Sequence, residues 1–232
     1  MPMHLLRTLL ILGLVTSAAC AGTGPSPSGA PAEPVETTSP ADGQEPDLGR
    51  LEALYQARAD SARAQYHPAD VDFMTGMIAH HAQAILMSLW APDRAGSDAI
   101  RTLAARITNA QKDEIALMQR WLRQRDQPAP EVSPEGRVSG HGAHMHMTGM
   151  LTDEQLARLE ASTGVTFDSL YLASMIPHHE GAVTMVHDLF ATDGAAQGDL
   201  VFKLASDIQV DQSSEIARMG RMLDAMRAGS PR

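Results

Sequence analysis

Two segments of the chain repeat one pattern, and an internal repeat restricts the fold to one built from two equivalent halves. Residues 77–81 read Met-Ile-Ala-His-His, and residues 175–179 read Met-Ile-Pro-His-His. Further along each copy the same residue types recur at the same spacing, as Gln111, Glu114 and Met118 and as Gln212, Glu215 and Met219. We therefore predict that each half is a pair of helices that carries potential metal-binding side chains.

The composition predicts an all-α protein. Aromatic residues make up 4% of the chain, and no segment shows the alternating β-branched pattern of a strand. We predict six helices, over residues 48–65, 68–90, 97–125, 152–162, 167–191 and 198–228. Two hairpins, at about 68–125 and 166–228, then stack as a ferritin-like four-helix bundle. The first helix is an extra N-terminal element, residues 126–151 join the hairpins, and the whole helical domain spans residues 48–228.

Residues 1–20 predict an export signal that is not part of the fold. A basic start is followed by the apolar run 9–15, and small residues lead to Cys20, the only cysteine of the chain. The run is too short to span a bilayer as a mature helix. Cleavage before Cys20 and acylation of its thiol would make a lipoprotein. Ordinary cleavage after Ala19 or Ala21 is the alternative.

Residues 21–47 are rich in Pro, Ser, Gly, Thr and Glu, and they contain little to bury. Such a segment behaves as a disordered tether between a membrane surface and a folded domain. We therefore expect the protein in the periplasm or on the outer cell surface, in contact with a membrane only through a lipid on Cys20.

The chain is acidic, with a formal net charge of −10 at pH 7. This charge and the lack of a basic stripe argue against binding to nucleic acid. An acidic surface is compatible with a cationic ligand.

The repeated segments place potential metal ligands on one helix face. At about 100° per residue, the two histidines of each copy follow the methionine by three and four positions and point toward the same partner helix. The residues concerned are Met77, His80 and His81, then Met175, His178 and His179, with Met74 at the edge of the first arc. Neutral imidazole and thioether favour copper, as Cu(I) or Cu(II), over zinc or iron. Buried hydrogen bonds that fix the helix register are the alternative.

The partner helices carry polar side chains on their inward faces. Glu114 and Glu215 are each four residues before a methionine, Met118 and Met219. A buried glutamate is costly unless it is hydrogen-bonded or bound to a ligand. We expect each glutamate to coordinate a metal or to orient the facing histidines.

The linker contains a third candidate site. Six histidine and methionine residues lie close together there: His141, His144, Met145, His146, Met147 and Met150. Short tracts of this kind often bind metal, and a flexible site should bind more weakly than one on rigid helices. Asp70 and Asp168, by contrast, are expected to cap the starts of their helices.

With these motifs, the chain resembles domain-of-unknown-function family 305, over about residues 68–226. The family hallmark is an Asp, an aromatic residue three positions later, and Met-Ile-x-His-His-x-x-Ala. It is matched from Asp70 to Ala84 and again from Asp168 to Ala182. The resemblance implies a ferritin-like, exported, copper-binding protein.

The sequence thus predicts an extracytoplasmic protein that sequesters copper or passes it on, with the metal ion and another copper-handling protein as its expected partners. Two other classes stay open: a ferritin-like metal-dependent redox enzyme and a metal-free scaffold or adhesion module. Di-metal oxidases use Glu-x-x-His motifs, and neither repeat contains one. We therefore expect no enzymatic activity.

Overall fold

The computed structural model describes residues 47–140 and 147–229, in which the chain is predominantly helical. The helices are α1 (Leu48–Ala64), α2 (Pro68–Leu89), α3 (Ala91–Arg94), α4 (Asp98–Arg123), α5 (Asp153–Ala161), α6 (Gly164–Phe190) and α7 (Asp199–Gly229). The predicted all-α class is confirmed. Two small elements were not predicted: the single turn α3, and an antiparallel hairpin of β1 (Glu131–Val132) and β2 (Val138–Ser139).

Local capping interactions explain where the helices begin. The His67 side chain accepts from the backbone N–H of Ala69 at the start of α2, and Asp70 completes a reciprocal capping box by accepting from the His67 N–H. Pro68 occupies the first turn, where its missing N–H is not needed. Ser97 caps α4, and Thr152 forms a capping box with Gln155 at the start of α5.

The four long helices form two antiparallel hairpins that pack against each other. In the first hairpin α2 packs on α4, in the second α6 packs on α7, and α2 meets α6 across the centre. The buried apolar side chains fall into two groups at opposite ends of the bundle. We call these the first apolar cluster, which contains Met77 and Trp121, and the second apolar cluster, which contains Met175 and Phe167.

Helix α1 lies apart from this packing. The sequence placed Leu51, Leu54 and Tyr55 at helical spacing, but in the structure these side chains are 54%, 59% and 68% exposed. None of the helices within residues 47–140 and 147–229 has the length and apolar character needed to cross a membrane.

Two aspartates connect the hairpins reciprocally. Asp70, near the start of α2, accepts from the buried backbone N–H of Ala196 in the α6–α7 loop at 2.7 Å. Asp168 accepts from the N–H of Gly96 in the α2–α4 loop at 2.9 Å. The prediction that Asp168 caps its own helix is wrong, since α6 already begins at Gly164. Each aspartate therefore connects the start of one hairpin to the turn of the other.

Residues 148–151, which we call the strap, lie across α2 and α6 at mid-bundle. Gln83 on α2 donates to the carbonyl of Leu151 at 3.0 Å and accepts from its N–H at 2.8 Å. On the α6 side, a Cβ added to Gly181 would lie 2.0 Å from the Thr148 carbonyl oxygen. Only glycine therefore allows this close approach.

Candidate metal centre

The four repeated histidines meet in the middle of the bundle, between the two apolar clusters. His80 and His81 come from α2, His178 and His179 come from α6, and all four side chains have 0% exposure. The rings of His80 and His178 are in contact, with their centroids 3.9 Å apart and their planes inclined by 42°. We call this group the histidine layer.

Each outer histidine of the layer is held by a glutamate from the partner helix of its own hairpin. His179 Nε2 bonds to Glu215 Oε2 at 2.9 Å. In the first hairpin His81 Nε2 lies 2.8 Å from Glu114 Oε2, although the angle is not that of a regular hydrogen bond. A carboxylate oxygen only accepts, so in the second hairpin His179 donates its Nε2–H to Glu215 and its Nδ1 faces away from this bond.

The two inner histidines differ from each other. His80 Nε2 lies 3.1 Å from the carbonyl oxygen of Thr148 in the strap, so His80 also carries its proton on Nε2 and its lone pair on Nδ1. Neither nitrogen of His178 makes a hydrogen bond of regular geometry among the described residues. A single strap crosses the layer, and this explains why the two repeat copies are not equivalent here.

The inner imidazoles are neutral. Burial, reinforced by the nearby histidines His81 and His179, lowers the pKa of His80 to about 3, against the opposing effect of the Thr148 carbonyl. Burial also holds the pKa of His178 well below its usual range, with further lowering by the other three histidines. Neutral imidazole is the form that binds a metal, so no proton has to be displaced from these rings at pH 7.

The layer contains an unusual number of buried polar atoms without hydrogen-bond partners. In the described part of the chain, these are Nδ1 of His80 and His179 and both ring nitrogens of His81 and His178. Gln111 and Gln212 on the partner helices also have buried amide atoms without a partner among the described residues. Buried polar atoms in native proteins are almost always paired. Several lone pairs in one dry layer therefore fit a ligand that accepts electron pairs, namely a metal ion.

The layer is not a preformed metal cage. Within residues 47–140 and 147–229, no three side chains of His, Cys, Asp or Glu already converge on one point. The contact between the rings of His80 and His178 gives a physical reason, because coordination requires their nitrogens to face a common centre. A metal ion held by both rings would therefore require them to rotate.

The five candidate methionines on the long helices are buried in the apolar clusters that flank the layer. Met74, Met77 and Met118 belong to the first apolar cluster, while Met175 and Met219 belong to the second. Their sulfur atoms pack among apolar side chains, so each also contributes to the core.

Four residues of the predicted linker site lie outside the described residues, namely His141, His144, Met145 and His146. Cys20, the predicted lipidation site near the N-terminus, also lies outside them. Met147 and Met150 are described, and both are half-buried; Met147 directly precedes the strap and Met150 belongs to it. The sequence argument missed the roles of Thr148 and Gln83. One signal was present: Gln83 and Gly181 occupy equivalent repeat positions but differ in type.

The comparison with known proteins agrees with this architecture. A protein from Streptomyces coelicolor that is named as secreted and as DUF305 is 29% identical; the match covers 71% of this chain and 97% of that one, with a TM-score of 0.59. A DUF305 fragment from Deinococcus radiodurans is 30% identical, with coverages of 69% and 98% and a TM-score of 0.58. CopM in its Cu(II)-bound form is 29% identical, with coverages of 67% and 96% and a TM-score of 0.53.

These features define a class of duplicated helical bundles with a buried histidine layer. Residues 70–223 match the family described as "Domain of unknown function (DUF305)". The chain belongs to this family. No curated protein matches it.

Proposed function

We propose that this protein binds copper outside the cytoplasm and either sequesters it or passes it to another copper-handling protein. The observation that carries the proposal is the histidine layer, in which four fully buried imidazoles offer unpaired nitrogens. The Thr148 carbonyl and Glu215 hold the Nε2 protons of His80 and His179, which leaves Nδ1 of these two rings as donor atoms. His81 has no regular hydrogen bond at either nitrogen. His178 can offer either nitrogen.

The glutamates and methionines have different roles in this proposal. Glu114 and Glu215 orient the outer histidines and raise their basicity, as carboxylates commonly do behind metal-bound imidazole. Met77 and Met175 precede the histidines by one helical turn and supply thioether sulfur, which favours the cuprous ion. Copper is therefore preferred over zinc or iron.

Two further observations support the proposal. CopM, at 27–29% identity, has been solved with Cu(I), Ag and Cu(II) bound, and the first two are soft monovalent ions. The export signal predicted for residues 1–20 and the secreted name of the Streptomyces relative support a location outside the cytoplasm. We propose acylation of Cys20 as the membrane anchor and a binding role without enzymatic turnover.

Titration with Cu(I) against a competing chelator tests the proposal. The protein is expected to hold Cu(I) tightly, and a variant with all four layer histidines changed to alanine should bind it more than about 100-fold more weakly. This exceeds the 10- to 100-fold effect typical of removing a group that only orients a ligand. His187→Ala, which removes an exposed histidine, should bind like the wild type.

Circular dichroism must show that the fourfold variant remains helical. If it does not fold, the double variant His81→Gln/His179→Gln, which keeps the side chains polar, takes its place. Cu(I) affinity equal to that of the wild type in a helical variant would rule out the histidine layer as the site.

A further inference from the structure

The groove between α4 and α7 is lined by carboxylates. Asp113, Glu114, Asp207 and Asp211 surround a cleft of about 340 Å³, together with Leu117, Leu204 and Val210. Partial burial raises the pKa of Asp211, and the charges of Glu114, Glu215 and Asp207 raise it further, while Arg106 opposes them. Lys203 pairs with Asp207 at 2.5 Å. Carboxylates still outnumber these cations, so the cleft attracts positive charge.

The cleft leads directly to the histidine layer. Glu114 lines the cleft, is 17% exposed at its side chain, and places Oε2 2.8 Å from Nε2 of the fully buried His81. Neither ring nitrogen of His81 has a regular hydrogen bond among the described residues. Glu215 spans the same boundary in the second hairpin, 20% exposed at one end and bonded to His179 at the other. These two carboxylates touch both solvent and the layer.

The α2–α6 side and the two ends of the bundle are covered among the described residues. The strap lies over the α2–α6 side, where the Thr148 carbonyl bonds to His80 and Gly149 packs against Pro177 and His178. The two apolar clusters fill the bundle on either side of the layer along its axis. A hydrated cation would lose its water there without a polar replacement, which is strongly unfavourable.

We propose that the acidic cleft between α4 and α7 is the entrance by which a copper cation reaches the histidine layer. This inference rests on the proposed copper-binding function. Asp113, Asp207 and Asp211 collect the cation at the mouth, because low-dielectric walls concentrate the field of like charges in a cleft. Glu114 and Glu215 then exchange a bond to histidine for a contact with the cation and pass it inward.

The test compares two variants that lose the same charge. Asp113→Asn/Asp211→Asn neutralises the cleft. Asp72→Asn/Asp188→Asn neutralises two exposed carboxylates in the separate groove between α2 and α6. Apo protein is mixed anaerobically with Cu(I), supplied as its acetonitrile complex, and uptake is followed by quenching of tryptophan fluorescence. Trp121 on α4 lies two turns from Glu114 and is a suitable reporter.

At low ionic strength the cleft variant should take up Cu(I) roughly three- to tenfold more slowly than the wild type, a modest part of the range seen for electrostatic steering. The control pair should change the rate less than about twofold. The difference should shrink in high salt, and the final amount of bound copper should be equal in all three proteins.

The outcomes separate the two ideas. Slow uptake that is specific to the cleft variant and sensitive to salt supports the entrance. Equal uptake rates in the cleft variant and the control, with normal final copper content, would refute the proposal that the cleft is the entrance and would leave the proposed copper binding unaffected. A wild-type protein that takes up no Cu(I) overturns the proposed function and the entrance with it.

Discussion

At the scale of single residues, the four histidines illustrate how position within a fold changes identical side chains. His81 and His179 contact carboxylates, His80 contacts a backbone carbonyl, and His178 contacts another ring without a hydrogen bond among the described residues. Their inward direction follows from the helical period alone and was predictable. The contact between His80 and the Thr148 carbonyl was not predictable, because Thr148 is remote in sequence and contributes only its backbone.

The lowered pKa of His80 predicts how stability depends on pH. An unfolded histidine has a pKa near 6.5, whereas folded His80 has a pKa of about 3. Between these values the unfolded state binds more protons, so the free energy of unfolding falls as the pH drops from 6.5 toward 3. The slope is up to about 1.4 kcal/mol per pH unit for this histidine.

Urea unfolding of the apo protein between pH 6.5 and 5 measures this slope. His80→Gln keeps a donor for the Thr148 carbonyl but removes the titrating ring, so its slope should be smaller by up to about 1.4 kcal/mol per pH unit. His187→Gln should keep the wild-type slope. The same slope in His80→Gln and the wild type would show that His80 already titrates normally in the folded protein.

At the scale of elements, sequence reasoning recovered the long helices and missed what covers them. Ser97, Thr152 and Pro68 carry local signals for helix starts, and local signals can be read from one sequence. The strap has no periodicity of its own. Its position depends on two glycines, Gly149 and Gly181, that are far apart in the chain and close in space.

Gly181→Ala should displace the strap. The new Cβ would lie 2.0 Å from the Thr148 carbonyl oxygen and 3.0 Å from Gly149 Cα, so backbone must move. We expect a loss of roughly 1–3 kcal/mol, as is typical of overpacking, and faster hydrogen exchange at the Leu151 amide, which Gln83 otherwise holds.

Gly220→Ala is the matched control on α7. A Cβ at Gly220 meets nothing within 4 Å, so alanine should stabilise the helix by about 0.5–1 kcal/mol. Similar stabilities for the two alanine variants would mean that the strap is not docked against Gly181 in solution.

At the scale of the whole molecule, the bundle has approximate twofold symmetry about the histidine layer. The twofold rotation that places one hairpin on the other also places one apolar cluster on the other, and the Asp70 contact on the Asp168 contact. The repeat predicted this symmetry, and the antiparallel packing of α2 and α6 completes it. The contacts of the two aspartates with the loops were not predictable, since the α2–α4 loop and the α6–α7 loop differ in sequence.

Loss of either aspartate contact should weaken the whole bundle. Asp168→Ala removes one charge-assisted bond and should cost about 1.5–3 kcal/mol. Asp70→Ala should cost more, because Asp70 accepts from both His67 and Ala196. Asp72→Ala, exposed on the same helix, should stay within about 0.5 kcal/mol of the wild type.

Chemical denaturation followed by helicity and by tryptophan fluorescence measures these effects. Because each bond joins one hairpin to the other, both signals should shift together. Separate transitions for the two signals would show that the hairpins unfold independently and that the aspartates do not couple them.

The strap also requires the two copies of the duplicated hairpin to differ from each other. Consider a homodimer of identical hairpins. A dimer of the first hairpin would have glutamine at both positions beside the strap, and a dimer of the second hairpin would have glycine at both. The strap needs Gln83 on one helix and Gly181 on the other, so it requires two hairpins that have diverged. Two interchangeable copies would lack either Gln83 or Gly181, and with it the cover over His80. The strap therefore makes the two halves of the duplication non-equivalent.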